Sequence, residues 1–310
     1  MRGALAGAVL WLAAAPAWGG SPLPVVTTTT DLKALVEAVG GDRVRVTSLA
    51  PPLHDPHSVE VKPGALAELR GAALLVRIGL DHEPWLARPL HAVGDPRLLP
   101  GGAADLDVSR GIALLETETP RVRAERGVHV HGFGNPHYWL DPENARPMTE
   151  RIQAALGALA PADAAVFAAN RAHFLQGLDA GLARWRSALA PYAGTRVVVA
   201  HESWPYFARR FGLAVVAALE PTPGVPPSAA YLSTLTARMK AAGVRVIIAE
   251  PSTSASLVAQ VAARSGARAV TLIPSVGGDS EARDYLALFD VDVARLVAAL
   301  AAAPAAPVSR

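Results

Sequence analysis

Nine histidines and no cysteine define the metal-ligating repertoire of this sequence. Four of the histidines stand where an apolar run stops and a loop begins: His54 and His57 in "LAPPLHDPHSVEVKP", His137 in "NPHYWLDPENA" and His201 in "TRVVVAHESWPYF". A neutral imidazole binds borderline-soft divalent metals. Three of them with one oxygen donor suit a tetrahedral Zn2+, whereas Mn2+ asks for more oxygens. His57, His137 and His201 lie tens of residues apart, so no local chelating loop is possible and only a fold can bring them together. Each also has a plainer role open to it. His201 can sit in a solvated loop that caps a helix, and His137 in a surface turn beside Tyr138 and Trp139. His57 is bracketed by Pro56 and Pro63, which stiffen its loop, while His54 precedes Asp55-Pro56 and can be solvated.

The elements that must position these residues follow one another as strand, helix, strand. "LPVVTTTT" is a β-branched strand, "DLKALVEAVGG" an amphipathic helix closed by glycines, "RVRVTSLAP" a second strand, "KPGALAELRGA" a helix and "ALLVRIGL" a third strand. From Pro142 to Leu189 the pattern becomes helical, with one restart at Pro161-Ala162-Asp163, and its second helix exceeds the usual globular length. Alternation resumes with "TRVVVA", "SWPYFARRFG", "LAVVAAL", "AAYLSTLTARMKAAG", "VRVIIAE", "SASLVAQVAARSG", "RAVTLI" and "EARDYLALFDVDVARLVAALAA". Such alternation implies parallel sheets, and in them ligands bind beyond the carboxyl ends of strands, where these histidines fall. The fold class is therefore α/β with two lobes, each a mainly parallel sheet flanked by helices, joined by one long helix. The expected boundaries are an N-terminal lobe at 21–160, the connecting helix at 161–190 and a C-terminal lobe at 191–310.

Composition narrows the class. A chain of 310 residues, 51% hydrophobic, is long enough for two ordinary cores. A net charge of +2 without a basic run leaves no electrostatic footprint for nucleic acid. The first twenty residues, "MRGALAGAVLWLAAAPAWGG", carry an early Arg, an apolar run and small residues suited to cleavage, so 1–20 read as a signal peptide. That run falls short of the roughly 20 residues needed to span a bilayer. With no cysteine there is neither a disulfide nor a lipid-bearing residue, and the expectation is a free, monomeric periplasmic protein.

Together the segments "VVTTTTDLKALVEAVGGDRVRVTSLAPPLHDPHSVEVKP", "IGLDHEPWL", "NPHYWLDPENA", "VVVAHESWPYFARRFGL" and "VIIAEPSTSASLVAQVA" resemble the zinc- and manganese-binding solute-binding proteins of ABC transporters, over essentially the whole mature chain. The resemblance implies capture of a divalent transition metal, Zn2+ with Mn2+ as the alternative, in the cleft between the lobes, and delivery to a membrane permease. It carries His57, His137 and His201 onto the family's first three ligands. The family offers an Asp at the end of the last strand as the fourth, but "VTLIPSVGGDS" reads Pro274-Ser275 there. Asp279 is then the expected fourth ligand, with Glu250 or water as alternatives, and a helix N-cap before "SEARDYLALFD" as its plainer role. "GVHVHGFG" resembles a shortened form of the family's His-rich loop, in which His129 and His131 take up metal loosely or are simply solvated. His82 and Glu83 line the cleft or cap a helix, and Trp85 belongs to the core. The rival reading is a secreted zinc hydrolase using the three histidines, a metal-bound water and Glu202 or Glu250 as base, although no HExxH pattern is present.

Overall fold

The computed structural model describes residues 21–52, 59–115, 134–220 and 226–303. The leader read at 1–20 and the histidines His54, His57, His129 and His131 lie outside the described residues. Two sheets of four strands each form the frame. The first has the order β2-β1-β3-β4, from β1 (Leu23–Thr27), β2 (Val44–Ser48), β3 (Leu74–Arg77) and β4 (Asp105–Asp107). The second has the order β6-β5-β7-β8, from β5 (Arg196–Val199), β6 (Ala214–Ala218), β7 (Val246–Ala249) and β8 (Arg268–Thr271). All six pairings are parallel. Parallel pairing requires a crossover between successive strands, and the helices supply most of them.

The helices are α1 (Thr30–Gly40), α2 (Pro63–Arg70), α3 (Ala87–Val93), α4 (Ala145–Leu159), α5 (Ala164–Leu189), α6 (Pro205–Phe211), α7 (Ala229–Ala241), α8 (Ala255–Ser265) and α9 (Tyr285–Ala302). Side-chain caps mark several starts. Thr29 accepts from Leu32 N at α1, Ser254 from Leu257 N at α8, and Asp284 from Leu286 N and Ala287 N at α9. The cap of the last helix is thus Asp284 and not Asp279. Among the described residues no helix is long and apolar enough to cross a membrane.

Successive strand residues face two different cores, as the period of two requires when both faces of a sheet are covered. Val25 points into a central core and Val26 into an outer one beneath α2 and α3. In the second sheet Val197 and Val199 face the central core, and Val198 faces the outer layer under α7 and α8. The central core is shared by both sheets. Leu32 and Leu35 of α1, Met148 and Ile152 of α4, Phe174 and Trp185 of α5, Phe207 of α6 and Phe289 of α9 form one continuous cluster. Helix α5 runs through it for 26 residues, about 39 Å at the helical rise.

Two elements did not emerge from the alternation. Strand β4 is only Asp-Leu-Asp, a composition disfavoured in strands, and the guanidinium of Arg77 on β3 supports it by binding both Asp105 oxygens at 2.7 and 3.0 Å. Helix α3 has seven residues and no side-chain cap.

The two halves also meet through a buried carboxylate. Asp31 in the first turn of α1 accepts from Val276 N, just beyond β8, at 2.9 Å. Burial pushes its pKa up to about 7, against the lowering effect of its bonds from Val276 and Ser275. Because the folded-state pKa lies above the unfolded one, Asp31 lowers stability progressively as pH rises from about 4 to 7, and the full penalty persists above. Asp31→Asn keeps the acceptor and removes the charge. It is expected to raise the melting temperature at pH 8 by a few degrees and to flatten the decline between pH 5 and 8, as checked by calorimetry.

Candidate metal centre

The described histidines of interest lie beyond the carboxyl ends of central strands or on the segment that crosses between the sheets. His201 follows β5 and Glu250 follows β7 immediately. His82 follows β3 through an unusual turn, in which Gly79, Leu80 and Asp81 have φ values of 78°, 55° and 56°. Three consecutive left-handed residues, two of them not glycine, are costly and turn the chain sharply inward. Glu83 fixes the result. Its Oε1 accepts from Thr28 Oγ1 and Ile78 N, both at 2.6 Å, and its Oε2 from Gly79 N at 3.0 Å. Burial pushes the Glu83 carboxyl up to about pKa 7, with these bonds opposing. His82 is consequently fully buried.

His137 sits on the crossing segment, at the start of a single 3-10 turn over Tyr138–Leu140. Tyr138 donates its hydroxyl to Ile78 O of the first half at 2.6 Å, while Trp139 donates Nε1 to Pro274 O of the second at 3.0 Å. Tyr206 donates to Asn135 O at 2.8 Å, Asn135 donates Nδ2 to Glu202 O at 2.8 Å, and Tyr285 donates to Trp139 O. Farther along, buried Asp141 receives the guanidinium of Arg210 on both oxygens, at 2.6 and 2.9 Å. The segment is thereby bonded to both halves of the molecule.

Two oxygen acceptors orient the imidazoles. Asn135 Oδ1 accepts the backbone N–H of His137 and lies 2.9 Å from His137 Nδ1. That bond sets the tautomer so that Nε2 is the nitrogen offered to a metal. Glu220 Oε2 lies 3.5 Å from His201 Nδ1, an electrostatic contact on the same ring nitrogen. The rings of His137 and His201 have centres 5.6 Å apart, and those of His137 and His82 5.7 Å apart. Trp139 closes one side, 5.1 Å from His82 and 5.3 Å from His137.

The carboxylates divide sharply. Glu250 is buried beside His201, accepts from Trp204 Nε1 at 3.0 Å, and has its pKa raised by desolvation with His201 opposing. Asp279 has both oxygens committed: Oδ1 to Glu281 N at 2.9 Å and Oδ2 to Arg295 of α9 at 2.6 Å. These bonds hold its carboxyl below the usual range. Among the described residues no group of three or more His, Cys, Asp or Glu side chains already converges in a metal-holding arrangement, and His57 lies outside them. The sequence did not single out Asn135 and Glu220, the two oxygens behind the imidazoles. Asn135 stands two residues before His137 in "NPH", which is the signal that could have found it.

Residues 25–299 match the family described as "ZnuA: Zinc-uptake complex component A periplasmic". A putative metal-binding protein of Treponema pallidum is 29% identical over 81% of this chain and 78% of its own length. The high-affinity zinc uptake system protein ZnuA of Paracoccus denitrificans is 30% identical over 82% and 83%, respectively. The chain spans half the length of the zinc-binding lipoprotein AdcA of Streptococcus pneumoniae, which it also matches. Among solved structures, the SBP FpvC from Pseudomonas aeruginosa in complex with Mn2+ superposes with a TM-score of 0.77 at 26% identity, covering 90% of this chain and 98% of that one.

The Arg210–Asp141 pair predicts a measurable dependence of this frame on one guanidinium. Arg210→Met leaves Asp141, which is 1% exposed, without its bidentate partner. The expected loss is about 3 kcal/mol of unfolding free energy, read from urea denaturation of the metal-free protein.

Proposed function

Because the chain belongs to the family of periplasmic A components of zinc-uptake complexes, we propose that it captures one Zn2+ between its two halves and delivers it to a membrane permease. The observation that carries this reading is the pair His137 and His201. Their rings stand 5.6 Å apart, one on the crossing segment and one beyond β5, each with an oxygen acceptor behind Nδ1. An imidazole backed in this way is the usual form of a zinc ligand. His57 is the third ligand in this proposal, on the strength of its match to the family pattern. Imidazole-rich coordination favours Zn2+ over Mn2+, although a manganese-bound relative keeps Mn2+ as the alternative cargo.

The protein is not proposed to be an enzyme. A captured ion is to be closed off by side chains, with no position kept for a reacting water, and nothing favours the hydrolase reading. Glu250, one of the two alternative bases of that reading, is already engaged by Trp204 Nε1. Asp279, expected as the fourth ligand, would have to give up its Arg295 pair in order to bind the ion.

Titration calorimetry on the protein without residues 1–20 should show one equivalent of Zn2+, and absence of binding would refute the reading. His137→Ala is expected to weaken zinc by at least ~100-fold and Asn135→Leu, which only unseats the imidazole, by ~10- to 100-fold. His129→Ala should change it less than about threefold, since an isolated pair of loop imidazoles makes a poor site. Affinity should fall steeply below about pH 6.5, because each ligating imidazole must lose its proton.

A further inference from the structure

We propose that the amino-terminal end of the second sheet is a membrane-contact face, which holds the protein reversibly on an anionic phospholipid bilayer. The inference does not rest on zinc capture. It concerns the end of that sheet opposite to His201 and Glu250.

Three observations carry it. The first is assembly. Because β5, β7 and β8 are parallel, their starts share one end, and backbone bonds from Arg245 N to Arg196 O at 3.3 Å and from Arg268 N to Arg245 O at 2.9 Å join those starts in one row. Helices α7 and α8 close at the same end, with Arg238 and Lys240 in the last turn of one and Arg264 in the last turn of the other. Arg196 Nη1 donates to Ala242 O at the close of α7, at 2.8 Å, and so ties strand start to helix end. Neighbouring strands stand about 4.8 Å apart, so the three starts span about 10 Å, close to one Debye length, and their charges act together on a facing surface.

The second observation is imbalance. Arg196, Arg238, Lys240, Arg264 and Arg268 are all exposed, and among the described residues none of them forms an ion pair. Every acidic residue from Ala190 to Ala303 stands elsewhere, in the loops beyond the carboxyl ends of β5, β6, β7 and β8 or in the first half of α9. At the corresponding end of the first sheet the cations are paired: Arg43 with Asp42 and Asp163, Arg45 with Glu68, and Arg97 with Asp95. Attraction of cations to a helix C-terminus accounts singly for Arg238, Lys240 and Arg264. It explains neither the exclusion of acids nor the arginines that open β5 and β8.

The third is relief. The exposed residues among these charges include Ala237, Ala241, Ala263 and Ala269, so the cations stand out from a low surface. Such a face fits a plane of anionic groups better than a single bound anion, and a member of a periplasmic family meets that plane as a bilayer rather than as nucleic acid. Held by this end, the protein turns the carboxyl ends of β5 and β7 away from the bilayer, an attitude for loading, since delivery into the membrane requires that end to face it. The attachment therefore has to be weak and reversible, as a salt-screened contact is.

Co-sedimentation of the protein without residues 1–20 with mixed phosphatidylcholine and phosphatidylglycerol vesicles at low salt tests this. Binding is expected, with none to pure phosphatidylcholine vesicles and release in concentrated salt, where the Debye length shrinks to about 3 Å. Each cation at an anionic bilayer is worth roughly fivefold in partition, so Arg238→Ser, Lys240→Ser and Arg264→Ser together should weaken binding about 100-fold. Arg43→Ser, Arg45→Ser and Arg97→Ser together remove the same formal charge from ion pairs, and should change binding less than about threefold. Zinc affinity is the separate readout and should be that of the wild type in both triple variants. Failure of the wild-type protein to bind the anionic vesicles, or equal losses in the two triple variants, would overturn the proposal while leaving zinc capture intact. Capture by polyglutamate in place of vesicles would overturn it in favour of an acidic protein partner. Should the first triple variant not fold, Lys240→Ser alone decides, with a loss of about fivefold expected and no loss refuting the assignment.

Discussion

The arrangement depends on holding one short segment, Asn135 to Asp141, between two sheets that have no strand in common. A histidine placed there belongs to neither sheet, so its position is only as good as the bonds at either side. Tyr138 ties the segment to the end of β3, Trp139 and Tyr285 tie it to the second half, and Asn135 ties it to the turn after β5 through Glu202. The Arg210–Asp141 pair is the most demanding of these contacts. A carboxylate that is 1% exposed gains little unless its partner holds it in bidentate geometry. That pair joins α6 of the second half to the start of α4, so the orientation of His137 and the packing of the central core are fixed by the same side chains.

The turn after β3 illustrates a different balance. Left-handed backbone at Leu80 and Asp81 costs on the order of 1 kcal/mol or more per residue, and nothing in the sheet requires it. Glu83 offsets that cost by accepting two main-chain N–H groups and the Thr28 hydroxyl, which otherwise would lie buried without a partner. Strand β3 could have ended in an ordinary turn on the surface. What the costlier turn achieves is to set a fully buried imidazole against His137 and Trp139.

The frame was legible in the sequence because it is written in periodicity. Short β-branched runs alternate with amphipathic stretches, and the two parallel sheets with their flanking helices and the long α5 follow from that pattern. Features that depend on a single distant contact were not legible. Strand β4 is Asp-Leu-Asp and exists by courtesy of Arg77; Asp284, not Asp279, caps α9; the partners of the imidazoles, Asn135 and Glu220, are polar residues of kinds that loops carry everywhere. His82 was visible as a residue after a strand, yet its burial depends on three dihedral angles that no propensity foretells. Residue type and place along a strand were readable from sequence; the direction in which a side chain is turned was not.

The shared core constrains how such a site can open. In a two-lobed protein with separate cores, a hinge can part the lobes and expose only a polar cleft. Here Leu32 and Leu35 of α1, Phe174 and Trp185 of α5, Phe207 of α6 and Phe289 of α9 belong to one cluster that runs beneath both sheets. Separating the halves by a rigid rotation would expose several of these side chains, each at about 1.5–3 kcal/mol, a larger cost than binding one ion readily repays across a wide swing. The long α5 adds to this, because it packs along α1, α4 and α9 and spans about 39 Å of the core without a break. Access to the histidines must therefore come from smaller rearrangements of side chains and strand-end turns. On that view His137 and His201, whose ring centres stand 5.6 Å apart, are close to where a shared ion needs them, and the ion supplies the remaining convergence.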